Sequence, residues 1–534
     1  MNGNRPQTAG RTPGKRPLDQ TGSGMVNIPL LVSEVHSALT TKQRLNVLQR
    51  ICFLISSNLS STTKLLNSGA WDALVLQMQF LLHRQGTCIE EINALCLTLD
   101  TIFCSCPISM LETIPIDNET LTLTVKASQF SSESTASVLS MWHLISASEE
   151  GASKVLKSGG LLRRLKDLLL ESQDGKSKNL SKALGIIKNL TYYISGSFEI
   201  LLHTPGFVSA MVEATTNNSI EAKDCERLSA IWRNVASIQE NRSRLAQNPS
   251  VLQALYMLST FHADGKRLPT VRNTLNTIVS LSMDVEVCLI LLLYGDGLFA
   301  KSLEAFMGSA DDTVRKRAAR TVRLWSSHQS SGNLLINCST LMSQVSAAAL
   351  RDTSEEVRQE AAEAFGRVAG LVQSPMPQHI AVLDAMESLC SSSAPNVAAR
   401  ALKGQAAHPT NRLLLLERPV FLKTLSLIAE CPESPSVARD DACAALADLA
   451  AEEGNRSKMA TQEVLKALCV NTSSPTRREM AVKALVFLAN EQGNIQKMVH
   501  FPGLLQSLIQ FAATVDSAFK GSVKHAILVL VREL

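Results

Sequence analysis

Aromatic residues are scarce in this chain, only 4% of 534. Sheets draw on aromatic and β-branched residues for their pleated surfaces, whereas stacked helices pack well through alanine, leucine, valine and serine, so the scarcity argues for helices. An excess of one charge is also missing. Against 52 Lys+Arg stand 48 Asp+Glu, a net charge of +4, which supplies no global field toward nucleic acid or a membrane surface. Long hydrophobic runs are absent. The longest, residues 287–293, falls far short of the ~20 residues a bilayer-spanning helix needs.

Catalytic signatures are missing as well. The ten histidines are dispersed, none three or four positions from another, and there is no Gly-x-Ser-x-Gly, His-Glu-x-x-His or paired-acid motif. Histidines such as His143, His203 and His525 read as packing residues. Gly10-Arg11-Thr12-Pro13-Gly14-Lys15 imitates a phosphate loop, but it has one residue too few between its glycines, Arg16 in place of Ser/Thr, and no preceding strand. The 12 cysteines form no Cys-x-x-Cys, and the close pair Cys104 and Cys106 has no further ligands nearby to complete a metal site. Cys52, Cys96, Cys443 and Cys469 sit in apolar helical faces, where cysteine acts as a small hydrophobe in a reducing compartment. The expectation is a non-enzyme without cofactor or metal, with no membrane span. No secretory signal is read in the polar first 24 residues, and the expected location is the cytoplasm, with the nucleus as the alternative.

What is present is a repeat. In residues 481–510, Ala481, Ala484, Leu485 and Leu488 recur at i, i+3, i+4, i+7, one face of a helix. Gly493 ends it, and Pro502-Gly503 precede a second apolar face at Leu504, Leu505 and Leu508. Upstream, Ala442, Ala445, Leu446 and Leu449 repeat the first face, and Glu452-x-Gly454-Asn455 repeats Glu491-x-Gly493-Asn494. Aligning on Leu488 gives Leu54, Ile102, Leu144, Leu190, Val235, Leu281, Leu324, Val368, Gln405, Leu449, Leu488 and Leu530, about 43 residues apart on average. Each unit reads as a long helix, a turn, a short helix, a Gly or Pro break, and a second long helix. Breaks at Pro205-Gly206, Asn248-Pro249, Gly295-Asp296-Gly297 and Pro502-Gly503 keep this phase; hydrophilic joins at 171–178, 262–268 and 431–436 separate units. Residues 1–24 read as a disordered basic tail and 25–534 as one helical repeat domain. Two places depart. The alternation Thr120-Leu121-Thr122-Leu123-Thr124-Val125 suggests an extended stretch or a degenerate repeat, read as an irregular insertion near 105–134. Gly404-Gln405 replaces an apolar anchor, where the superhelix is expected to bend.

On these residues, and on 183–190 and 228–236, the chain resembles the armadillo repeat family and, more loosely, HEAT repeats. The resemblance covers most of 25–534 as a pattern. It implies an all-α, right-handed α-solenoid superhelix of about 11–12 armadillo-like repeats, whose third helices line a groove for an extended peptide. It also implies that an Asn on the third helix clamps the bound backbone. That position is held by Asn189 and Asn234 in two consecutive units, and by Arg323 and Arg367 in two others. The Trp that nuclear-import receptors carry four residues before this Asn is replaced by Gly185 and Ala230.

The densest charge cluster is 315–323. On a helix Lys316, Arg320 and Arg323 share one face, while Val314, Ala318, Val322 and Trp325 turn inward. Guanidiniums at Arg323 and Arg367, one layer apart, suit a carboxylate or phosphate; a solvated face offset by Asp311, Asp312, Glu355 and Glu356 is the plainer reading. The groove candidates are therefore Asn189, Asn234, Arg323, Arg367, Lys316 and Arg320. The expected function is a non-catalytic scaffold or adaptor binding a protein or peptide segment, acidic or phosphorylated near Arg323 and Arg367. The rivals are a nuclear-transport cargo receptor, the substrate-recognition arm of a ubiquitin ligase, and a nucleic-acid- or phosphate-binding solenoid using the 315–367 region. Nucleic acid is disfavoured because basic residues do not recur layer after layer. The chain ends on 526–534, an apolar helix expected either to pack inward as a cap or to serve as a binding surface.

Overall fold

The computed structural model describes residues 27–534 except 39, 58, 85, 87, 107–113, 172–177, 218–219, 264–266, 372–382, 385, 388–389, 391–394 and 515–518. The 1–24 tail and the middles of the joins at 171–178 and 262–268 lie outside them. The described secondary structure is helical throughout. No described helix is long and apolar enough to cross a membrane. The chain divides into two compact units, Met1–Ile145 and Ser146–Leu534.

In the second unit every third helix packs on its counterpart in the next repeat. One row runs Lys178–Tyr193, Ala222–Ala236, Leu268–Leu281, Asp312–Trp325, Glu355–Leu371, Pro395–Ala406, Ser436–Ala451, Arg478–Ala489 and Lys520–Val531. We call these the third helices. A parallel row of second helices includes Phe207–Thr216, Pro249–Ser259 and Leu298–Met307, then Pro419–Glu430, Gln462–Asn471 and Leu504–Thr514. Short helices such as Gln239–Ala246, Glu453–Met459 and Gln492–Val499 connect the rows. The first unit has the same two rows: Ile28–Ser37, Ala70–His83 and Asn118–Ala127 in one, Thr41–Ser57, Ile89–Ser105 and Ser132–Ile145 in the other.

The punctuation follows from local chemistry. Asp311 caps its helix by accepting from Val314 N at 2.9 Å, and Thr461 does the same for Val464 N. Pro249, Pro409 and Pro419 stand in first turns, where a missing N–H costs no helical hydrogen bond. Gly206, Gly297 and Gly503 each precede a second helix with φ of 74°, 85° and 78°. That left-handed backbone is strained for a residue with a Cβ, so glycine recurs at this turn.

The core lies between the rows. Trp142, Trp232 and Trp325 are fully buried; Trp142 donates to Thr124 Oγ1 at 3.0 Å and Trp325 to Ser282 Oγ at 2.8 Å. These three tryptophans thus serve as core plugs. Most anchors are buried as expected, but Leu54, Leu144 and Leu324 are half-buried and their neighbours Ile55, Ile145 and Trp325 go inward. The alignment slips by one residue there because turn lengths differ between repeats. Gln405 occupies its apolar position fully buried, its Oε1 accepting from Asn411 at 3.0 Å.

The alternating 120–125 stretch is not extended, and of the two readings the repeat is the one that fits. It lies in the α-helix Asn118–Ala127, opened by Asp117 accepting from Thr120 N at 2.7 Å, and it packs on Ala70–His83 as a second helix. Burial of Thr120, Leu121, Leu123, Thr124 and Val125 together masks the helical period. Threonine hydroxyls bond backward within the helix, Thr122 to the Asn118 carbonyl and Thr124 to that of Leu121. Tertiary packing overrides their weak helix propensity.

At the other end, Lys520–Val531 buries Val523, Ala526 and Leu530 against its neighbours and leaves Leu528 and Val531 exposed. The inward packing expected of a cap is therefore seen on one face of that helix.

Candidate functional site: the third-helix row

The Asn of the Glu-x-Gly-Asn marker is a bridge between repeats. Asn494 Nδ2 donates to the Leu488 carbonyl at 3.2 Å and to the Arg456 carbonyl of the preceding repeat at 2.9 Å. Asn455 does the same to Leu449 and Arg412. Arginine next to such an asparagine reaches back over the third-helix C-terminus: Arg456 to Ala450, Arg412 to Ala406 and Arg242 to Ala236. These contacts satisfy carbonyls that a helix end leaves unpaired. The marker is thus architectural.

Asn189 and Asn234 are engaged in the same kind of work. Asn234 is buried, its Nδ2 directed at the Lys188 carbonyl and Thr191 Oγ1 of the preceding third helix and its Oδ1 accepting from Arg233 at 3.1 Å. Asn189 donates to Ser146 Oγ at 3.1 Å. This corrects the clamp expectation for Asn234: close third-helix packing consumes its amide.

The basic cluster is matched, by acids other than most of those expected. Arg315 makes a two-point contact with Asp352, at 2.7 and 2.9 Å. Lys316 pairs with Glu356 at 2.5 Å, Arg323 with Glu360, and Arg367 with Glu363. Further along, Arg400 and Lys403 both meet Asp441. Of the acids named from sequence, Glu356 serves this cluster, while Asp311 pairs with Arg272 one helix earlier. The Arg272 guanidinium, and after it partial burial working the other way, sets the Asp311 carboxyl below its ordinary range. For Lys316, Arg323 and Arg367 the neutralised face is therefore what the structure shows.

Arg320 is different. It is half-buried, its Nε is sealed from solvent without an acceptor, and it has no hydrogen-bond or ion-pair partner among the described residues. Three residues earlier Arg317 donates to the Arg272 carbonyl at 3.3 Å; burial, then the like charges of Arg272 and Arg233, pull its pKa down. Asn276 follows Arg272 by one turn on its own helix, Leu268–Leu281. Asn276 too has no side-chain partner among the described residues. Sequence reading missed Asn276 because an isolated helical asparagine carries no signal of its own.

No cluster of three or more metal-ligating side chains occurs among the described residues. All 12 cysteines are free thiols. Burial raises Cys106 to about 11, and Cys96 to about 12 with Asp100 adding to it, which keeps both protonated and unreactive at neutral pH.

No protein-family model matches the chain, and no curated protein matches it. Solved structures do. An engineered protein aligns with a TM-score of 0.55 at 17% identity, over 80% of this chain and 99% of that one. A β-catenin structure, from work on a conserved phosphorylation switch controlling the interaction between cadherin and β-catenin, aligns with a TM-score of 0.62 at 12% identity, over 95% of this chain and 99% of that one. At such identities the likeness is one of fold, and that fold is an all-helical repeat protein.

Proposed function

We propose that the chain is a non-catalytic scaffold or adaptor, a right-handed armadillo-type solenoid that receives an extended partner segment along its third-helix row. The observation that carries this reading is the Arg320 guanidinium. In a row where Arg315, Lys316, Arg323, Arg367, Arg400 and Lys403 are each matched by a carboxylate, Arg320 is left over one turn from Arg317, on the helix that packs against the one bearing Asn276. A half-buried cation without an acceptor is costly unless something supplies one. A passing segment with a carboxylate or phosphate supplies it, and the Asn276 amide offers that segment's backbone both a donor and an acceptor. The β-catenin likeness supports the reading, since that structure belongs to a protein that interacts with cadherin.

A photo-crosslinking residue placed at Asn276 in the full chain tests this in cells. The expected result is a discrete crosslinked partner that disappears on Arg320→Glu and persists on Arg320→Lys. Crosslinks indifferent to Arg320→Glu, or equal to those from a probe at exposed Gln253 on a second helix, overturn it.

A further inference from the structure

The second-helix row carries a surface of its own near the end of the second unit. Pro419–Glu430 lies closely along Gln462–Asn471, and Asn471 Nδ2 stitches the two by donating to the Ala429 carbonyl at 2.8 Å. On its other side Gln462–Asn471 meets Leu504–Thr514 over a much shorter stretch. The helices splay there, and a cleft of about 810 Å³ opens between Gln462–Asn471 and the turn at His500, Phe501 and Pro502. That volume is of the size that holds ligands, ~300–1,000 Å³.

The lining has two chemistries. Leu465, Cys469 and Phe501 form an apolar floor, extended by Val470, which is 52% exposed. Lys466, Lys497 and His500 stand around it, and no carboxylate lines the cleft among the described residues. Lys466 is held by Glu430 at 2.5 Å, whereas Lys497 has no partner among the described residues. The His500 Nδ1 faces the Gln496 carbonyl at 2.9 Å and so carries its proton there, leaving Nε2 as the second ring nitrogen to bond elsewhere. An apolar floor with the unmatched Lys497 ammonium at its rim complements an occupant that is apolar in the middle and acidic beside it. Nucleic acid fits less well, because its phosphates need cations in succession and the floor offers no ring to stack on except Phe501.

We propose that this cleft docks a short peptide segment in which a large aliphatic or aromatic side chain is flanked by Asp or Glu. The site is separate from the third-helix row, so it stands or falls independently of Arg320. A phage-displayed random twelve-residue library, panned on the full chain, tests it. The expected result is enrichment of sequences joining an apolar residue to adjacent acids. The best synthetic peptide should bind at least tenfold more weakly to Lys497→Glu and to Val470→Asp, and unchanged to Arg320→Glu. Both substituted side chains are exposed, and an unaltered thermal unfolding midpoint checks that the fold persists. Absence of any peptide sensitive to Lys497→Glu and Val470→Asp overturns the proposal. So does selection of basic peptides, or displacement of the peptide by polyuridylate RNA that loses binding in the same variants.

Discussion

In the first unit the helices Thr41–Ser57, Ile89–Ser105 and Ser132–Ile145 meet through a seam with little charge, whereas from Leu268–Leu281 to Ser436–Ala451 the seam is ionic. Cys52 Sγ approaches Thr98 Oγ1 at 3.3 Å, Cys104 faces Ser140, and Phe53 and Leu97 stand exposed on the same row. An ion pair of this seam, Arg44–Glu91 at 2.8 Å, is almost sealed, with side chains 6% and 2% exposed. Arg44 also donates to the Ala38 carbonyl. In the second unit the pairs are more numerous and wetter: Lys316–Glu356 has side chains 36% and 68% exposed. The difference teaches that one stacking geometry accepts either solution, because shape and apolar burial carry the stack while polar contacts fix its register. Few sealed pairs and many wet ones differ sharply in what each pair is worth.

The largest effect should come from opening the sealed pair. Burial raises the Glu91 carboxyl, but hydrogen bonds from Arg44 and Thr41 outweigh it and leave the group below its ordinary range. Glu91→Ala strands the Arg44 charge and should cost roughly 3–5 kcal/mol in urea unfolding, while Arg44→Met with Glu91→Leu recovers most of it. A loss below that of a wet pair would break the comparison. An intermediate effect is expected at Asp311, which caps Asp312–Trp325 and holds Arg272 across the layer. Asp311→Ala should cost about 0.5–2 kcal/mol at neutral pH. Because its folded pKa is depressed, its contribution is present above the unfolded value of about 3.9 and fades as pH falls through the lower folded value. The acid limb of an unfolding-versus-pH curve should therefore be shallower for Asp311→Asn than for the parent. The smallest effect belongs to Lys316→Ala, below ~1 kcal/mol and vanishing in 1 M salt, where the screening length is only ~3 Å. An appreciable, salt-independent loss there would show that the wet seam is stiffer than its exposure indicates.

Much of the fold was legible from single residues. The alanine and leucine faces around Leu449 and Leu488, the glycines at 206, 297 and 503 that precede second helices, and the Asn of Glu-x-Gly-Asn all stand where the pattern put them. Helix 118–127 was not legible, because simultaneous burial of threonine and leucine erases the contrast that periodicity reads. Of the candidate site, the face shared by Lys316, Arg320 and Arg323 was legible as a helical phase. Which cations are spent was not. Arg315 finds Asp352 and Arg323 finds Glu360, each 37 residues on. Lys316 finds Glu356 at 40. Those partners depend on how each turn sets one layer against the next.

The sequence by itself therefore determined what is local: helix after helix, their apolar faces, their breaks, and a period near 43 residues. Only the tertiary structure decided what crosses layers. It turned Asn234 from a clamp into a staple, matched most of the basic cluster with acids, left Arg320 without one, and parted two second helices into a cleft. The physical reason is that a helix's phase follows from neighbours three and four residues away, while a side chain's partner follows from the register between helices about forty residues apart, which small changes in turn length reset.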